Sequence, residues 1–135
     1  AGAVSVPGMA RLFGTDLSPV PPRGERSRPV VVSGRSRTYL AADVAHALGA
    51  QLVACGSAGV KAMLVVGGDV DVYVHASGLY EWDVCAPAAV AAAAGRVVRD
   101  LDGAEIVYNK SHPVVRGFVV SRPEFHDTVA TTLDW

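Results

Sequence analysis

The chain has 135 residues, half of them hydrophobic and 19% charged, with a formal net charge of −1. That is enough chain for one domain with a real core, and the absence of a dense basic stripe argues against a nucleic-acid polymer as partner. No apolar run reaches membrane-spanning length and no stretch reads as a signal peptide; Cys55 and Cys85, far apart in apolar settings, read as buried free thiols, so a reducing cytoplasm is the expected setting.

In chain order, "GAVSVP" and "ARLFG" flank Pro7-Gly8 and predict a hairpin of two short strands. The opening residues lack a Met and read like the middle of a strand, so the chain is expected to begin inside a longer protein. "DLSPVPPRGERSRP" (16–29) is rich in Pro and charge and predicts an exposed connection. Residues 1–28 therefore read as a hairpin and connecting loop, a remnant of a preceding sheet domain, and 29–135 as an α/β domain.

"VVVSG" (30–34) predicts a buried strand. "TYLAADVAHALGA" has helical spacing, with Thr38 as N-cap and Gly49 as stop. "QLVACG" reads as a second buried strand, "SAGVKAMLVVGG" as a helix opened by Ser57, and "VDVYVHA" as a third strand. The alanine-rich helix is expected from 84 onward, capped by Asp83, with Pro87 near its first turn. "RVVRDLDGAEIVY" reads as strand, turn and strand, "GFVVS" as a last strand, and "PEFHDTVATTL" as a closing helix with Pro123 near its start. Strands alternating with helices give an α/β class with a mixed, largely parallel sheet flanked by helices.

In such sheets ligands sit at the carboxyl ends of strands, where helix N-termini converge. Three segments fall there. "CGSAGVK" aims backbone N–H groups, the Ser57 hydroxyl and Lys61 at one point, which suits a phosphate; taken alone, the motif reads more readily as a tight turn with a capping Ser and a solvated Lys. In "SGRSR", Arg35 and Arg37 are able to clamp an oxyanion, or to form a solvated basic loop. In "YEWD", capping accounts for Asp83 but not for Glu81 and Trp82 beside it; a carboxylate at a helix start also suits a hard cation such as Mg²⁺. "DLDG" (100–103) reads as a polar turn rather than a metal site. His46, His75, His112 and His126 are scattered and lack zinc spacing.

Taken together, "GSAGVKAMLVVGGDVDVYVH", "YEWDVCAPAAVAAAAG" and "LDGAEIVYN" resemble the inositol monophosphatase superfamily, nearest its 3′(2′),5′-bisphosphate nucleotidase (CysQ-like) branch, and specifically the C-terminal domain of that αβαβα sandwich. The resemblance runs from the opening residues to "SRPE". It implies a phosphatase for small phosphorylated metabolites, using two or three Mg²⁺ ions to activate a water and neutralise phosphate charge, and inhibited by lithium. It implies a substrate such as adenosine 3′,5′-bisphosphate or its sulfated relative, hence a place in sulfur metabolism. By the same resemblance Asp83 is a metal ligand; Gly56, Ser57 and Lys61 bind substrate; Gly34-Arg35-Ser36-Arg37 stands where the branch usually has Ser-Arg-Ser-His, with Arg37 in place of the His, so that Arg35, Ser36 and Arg37 also bind substrate; and Tyr80, Glu81 and Trp82 line the cleft entrance, with Glu81 a substrate contact. Inositol-specific members carry a carboxylate before the Trp-Asp pair, where this chain reads His75-Ala76-Ser77, which favours a nucleotide or another phosphate ester. The family's Glu-Glu and Asp-Pro-x-Asp-Gly-Thr motifs have no counterpart here. A missing N-terminal half would carry them, and the segment alone is expected to be inactive. A homodimer fits the family, and no membrane partner is expected. The other readings are an inositol- or sugar-phosphate phosphatase, a non-catalytic nucleotide-binding module, and a structural domain whose Ser and Asp only cap helices.

Overall fold

Valine runs set the architecture. In a computed structural model that describes residues 1–17 and 26–135, the chain forms β1 (Ala3–Val6), β2 (Arg11–Gly14), β3 (Val30–Ser33), α1 (Tyr39–Ala47), β4 (Gln51–Ala54), α2 (Ala58–Val66), β5 (Val72–His75) and β6 (Leu79–Tyr80). There follow α3 (Glu81–Ala93), β7 (Val97–Arg99), β8 (Val114–Val115), β9 (Phe118–Ser121) and α4 (His126–Thr132). The main sheet has the order β4-β3-β5-β9-β7. β3 lies parallel to β4 and β5, and β9 is antiparallel to β5 and β7, so four of the five strands share one direction, as expected for a mixed, largely parallel sheet.

Alternation along each strand divides the core. Val31, Val72, Val74 and Val119 face one side and pack with Ala41, Val44 and Ala45 of α1 and Val129 of α4. Val32, Tyr73, Phe118 and Val120 face the other and pack with Met63, Val66, Val84 and Val90 of α2 and α3. The β1–β2 hairpin forms a further layer over α3, with Gly2 against Ala86 and Ala89. Helix α1 ends as expected at Gly49: its φ of +58° lets Gly49 N–H donate to His46 O (3.0 Å) and Ala50 N–H to Ala45 O (2.7 Å).

Several expectations need correction. Strand β4 is not buried: it is the sheet's edge, and Gln51, Leu52 and Ala54 are exposed. Thr38 stands at the start of α1 without a side-chain cap. Helix α3 begins at Glu81, not 84, so Asp83 is its third residue and Tyr80 takes the cap position. Pro87 consequently lies in the second turn, where its missing N–H leaves the Asp83 carbonyl without its intrahelical donor. Residues 104–108 form no strand after the polar turn, in which Asp100 accepts from the N–H groups of Asp102 and Ala104 at 2.9 Å each. Cys85 is exposed and Cys55 half-buried, and both are free. Of the connection expected over 16–29, residues 18–25 lie outside the described residues.

One buried carboxylate ties the starts of β3 and β5 to the end of β9. Asp71, 3% exposed, accepts from Val30 N–H (2.8 Å), Arg26 Nη2 (2.9 Å) and Arg122 Nη1 (3.0 Å). Its own N–H donates to Val30 O and its carbonyl accepts from Arg122 N–H, so β3, β5 and β9 are joined at the end of the sheet opposite the turns that follow β3 and β4. Asp71→Ala should lower stability by about 3 kcal/mol in urea titration, because it strands the partly buried Val30 N–H and two partly buried guanidinium groups. Arg116→Ala, which removes the exposed pair with Asp102 (2.8 Å), should cost under about 0.5 kcal/mol.

Candidate functional site

The ends of β3 and β4 and the start of α3 bring the chemistry-bearing segments together. After β4 the ladder continues for one bond, Cys55 N–H to Ser33 O at 3.0 Å, and the chain turns through Gly56 and Ser57. Ser57 has φ +59° and ψ +124°, a conformation that costs a non-glycine residue about 1–3 kcal/mol. Three bonds hold it. Its hydroxyl accepts from Val60 N–H at 3.3 Å, and its carbonyl accepts from Lys61 N–H at 3.2 Å and from Lys61 Nζ at 3.0 Å. The same ammonium donates to Cys55 O at 3.2 Å and lies 5.1 Å from the Tyr73 ring centroid. Lys61 is 3% exposed, and burial lowers its pKa against an opposing pull from Cys55. It is thus a clasp inside the turn rather than a lining side chain.

On the neighbouring loop Ser33 Oγ donates to Val74 O (2.9 Å), fixing where the chain leaves the sheet. Arg35, Ser36 and Arg37 are exposed. The Arg35 guanidinium reaches Gly56, with Nη2 3.8 Å from the position a Cβ there would take. Neither Arg35 nor Arg37 is paired with a carboxylate among the described residues.

The start of α3 separates two adjacent carboxylates by environment. Glu81, 8% exposed, accepts from Asn109 N–H (2.7 Å) and Lys110 N–H (3.2 Å), with Lys110 Nζ at 3.8 Å. It is committed to holding the loop that leads into β8. Asp83, two residues on, is exposed, and its carboxylate takes no hydrogen bond or ion pair among the described residues. Tyr80 and Trp82 stack beside it, with centroids 4.5 Å apart.

A groove of about 560 Å³ joins these parts. It is lined by Ala3–Ser5 of β1, Ser57 and the first two residues of α2, Ala58 and Gly59, and Leu79, Trp82, Asp83, Ala86 and Pro87. Two helix N-termini therefore open into one depression, and the first N–H groups of α2 have no carbonyl partner within the helix. Such a surface attracts an anion. Asp83 sets a negative charge on the same groove, which a cation placed between it and a bound phosphate would offset. The donor chemistry suits Mg²⁺, which takes hard oxygens and is often held by one or two carboxylates plus substrate phosphate. No three His, Cys, Asp or Glu side chains converge among the described residues, so Asp83 is able to offer one ligand and no complete cage is formed among them.

The structure thus places Ser57 and Asp83 on one groove with Gly56 and Arg35 close by, while Lys61 and Glu81 are held inside. His75 does not line the groove; it is half-buried and bonded to Ser77 Oγ (Nε2–Oγ 2.9 Å). Reading the sequence missed Asp71, hidden in an apolar strand, and the two-residue β6–β8 ladder that fixes Tyr80 against Val114. So short a ladder has no periodicity to detect. The spacing of two in "DVD" before a valine run was the only signal for Asp71.

The profile of the inositol monophosphatase family matches residues 22–134. The 3′-phosphoadenosine 5′-phosphate phosphatase of Mycobacterium leprae (strain TN) is 44% identical over 98 residues, which cover 73% of this chain and 33% of that protein. The chain thus spans about a third of the length of this curated relative. Among solved structures, CysQ from Bacteroides thetaiotaomicron superposes with a TM-score of 0.66 at 30% identity, covering 76% of this chain and 40% of that one. An inositol monophosphatase from Anabaena (Nostoc) sp. PCC 7120 gives a TM-score of 0.72 at 22% identity, covering 95% and 56%.

The two carboxylates of α3 should behave oppositely. Glu81→Ala leaves the partly buried Asn109 and Lys110 N–H groups without their acceptor and should cost about 1–2 kcal/mol in urea titration, whereas Asp83→Asn should cost under about 1 kcal/mol, the helix-dipole contribution alone. His75 provides a pH test. Burial, then the Lys61 charge, hold its pKa below 6.5, so the unfolded chain takes up its proton first as pH falls. The stability this neutral imidazole carries is complete above pH 6.5 and is lost as pH drops through the lowered folded value. The urea midpoint should therefore fall more steeply below pH 6.5 in the native protein than in His75→Asn; equal slopes would contradict it.

Proposed function

The chain belongs to the inositol monophosphatase family, and on that premise we propose that it works as the C-terminal portion of a Mg²⁺-dependent phosphomonoesterase acting on 3′(2′),5′-bisphosphorylated nucleotides such as adenosine 3′,5′-bisphosphate. The observation that carries this reading is the uncommitted Asp83 carboxylate facing the Ser57 turn across one groove. The 3′-phosphoadenosine 5′-phosphate phosphatase named above, 44% identical, supports the substrate class.

In this reading the free N–H groups at the start of α2 and the Ser57 hydroxyl hold phosphate oxygens, and Arg35 beside Gly56 adds a charge-assisted donor. Ser36 and Arg37 are the further donors of the same exposed loop. Asp83 offers one oxygen to Mg²⁺, and the other ligands come from polypeptide outside these 135 residues. Bound Mg²⁺ would supply an activated water and offset phosphate charge. Lys61 and Glu81 act as positioning residues: the first fixes the Ser57 turn, the second the start of α3. The reading implies the setting of sulfur metabolism in the cytoplasm.

The complete protein with Mg²⁺ should release phosphate from adenosine 3′,5′-bisphosphate, and lithium should inhibit it. Since even outer-shell changes cost metal sites 10- to 100-fold, Asp83→Asn should lower kcat by at least about 100-fold. A Mg²⁺-loaded complete protein that releases no phosphate, or an Asp83→Asn variant of native activity, would overturn the assignment.

A further inference from the structure

Tyr80 and Trp82 are the least economical residues of the site. Their rings are within 7° of parallel at 4.5 Å, and they remain 51% and 65% exposed. Core packing does not require them there, because neither is buried. Their placement is nevertheless fixed from below. Tyr80 pairs with Val114 in the β6–β8 ladder, and Glu81 between them is bonded to the 109–110 loop. With Tyr80 covering one face of the indole and so much of Trp82 exposed, the other indole face is turned to solvent. Trp82 also lines the groove that holds Asp83 and the Ser57 turn.

We infer that the Tyr80–Trp82 stack is a platform on which the aromatic base of a nucleotide lies, extending the stack by one ring, and that it sets the preference for nucleotides over base-free phosphate esters. The inference rests on the phosphate-ester reading of the groove. A ligand that satisfies both parts of this surface needs a flat π-face at one end and an anion at the other, which is the chemistry of a nucleotide. A parallel aromatic pair presents one uninterrupted face to such a ring, as single-strand binding surfaces do for successive bases.

Two measurements on the complete protein test it. The first compares kcat/KM for adenosine 3′,5′-bisphosphate with that for a 1-deoxyribose 3,5-bisphosphate, which has no base. Trp82→Ala should reduce this ratio roughly ten- to a hundredfold, through KM for the nucleotide, and Trp82→Phe should restore most of it. A ratio within about twofold of native in Trp82→Ala overturns the platform. The second replaces adenine by fluorescent 2-aminopurine, whose emission falls on stacking. Quenching on binding, lost in Trp82→Ala and kept in Trp82→Phe, supports the platform even if no phosphate is released, an outcome that sinks only the phosphatase reading. No quenching in the native protein overturns the platform whether or not phosphate is released.

Discussion

The site depends on a buried ammonium group. Lys61 sits on the first turn of α2, and its Nζ donates to two carbonyls of the turn that opens that helix, Cys55 and Ser57. Those bonds offset the strain of Ser57 at positive φ and the cost of taking a cation out of water. With the turn fixed, Ala58 and Gly59, the first residues of α2, line the groove. A lysine here does more for an anion site as a clasp than it would as a solvated hand on the ligand.

The same division of labour recurs at α3. Glu81 and Asp83 are two residues apart and carry the same charge, yet one is occupied with backbone N–H groups and the other takes no partner among the described residues. The difference follows from where the helix begins. Because α3 starts at Glu81, that side chain swings back to the 109–110 loop, while Asp83 on the third position opens outward. The small residues Ala86 and Gly59 keep the two helix mouths close, with Gly59 in contact range of Pro87. In the proposed reading a cation completes the arrangement of this carboxylate and the two helix ends.

Much of this was legible in the sequence, for physical reasons. Short β-branched runs became β3, β5 and β9, and Gly49 and Ser57 bounded their helices, since those effects are local. The pairing of the Gly-Ser turn with the Trp-Asp helix was also legible, because both follow strands whose carboxyl ends share one edge. What was not legible depends on long-range partners. Whether Lys61 faces solvent or its own turn is decided by Tyr73 beneath it. The start of α3 is decided by Pro113, whose carbonyl accepts from Glu81 N–H at 3.0 Å, 32 residues along the chain. The exposure of β4 follows from its place at the sheet's edge, which its apolar composition conceals.

The central claim is that Asp83 is a metal ligand. The most direct test is a crystal structure of the complete protein with Mn²⁺ in place of Mg²⁺ and phosphate bound, read by anomalous scattering. The account predicts an anomalous peak within about 2–2.5 Å of an Asp83 carboxylate oxygen, with phosphate against the Ser57 turn. A manganese-loaded, phosphate-bound protein in which Asp83 touches neither metal nor metal-bound water would contradict it.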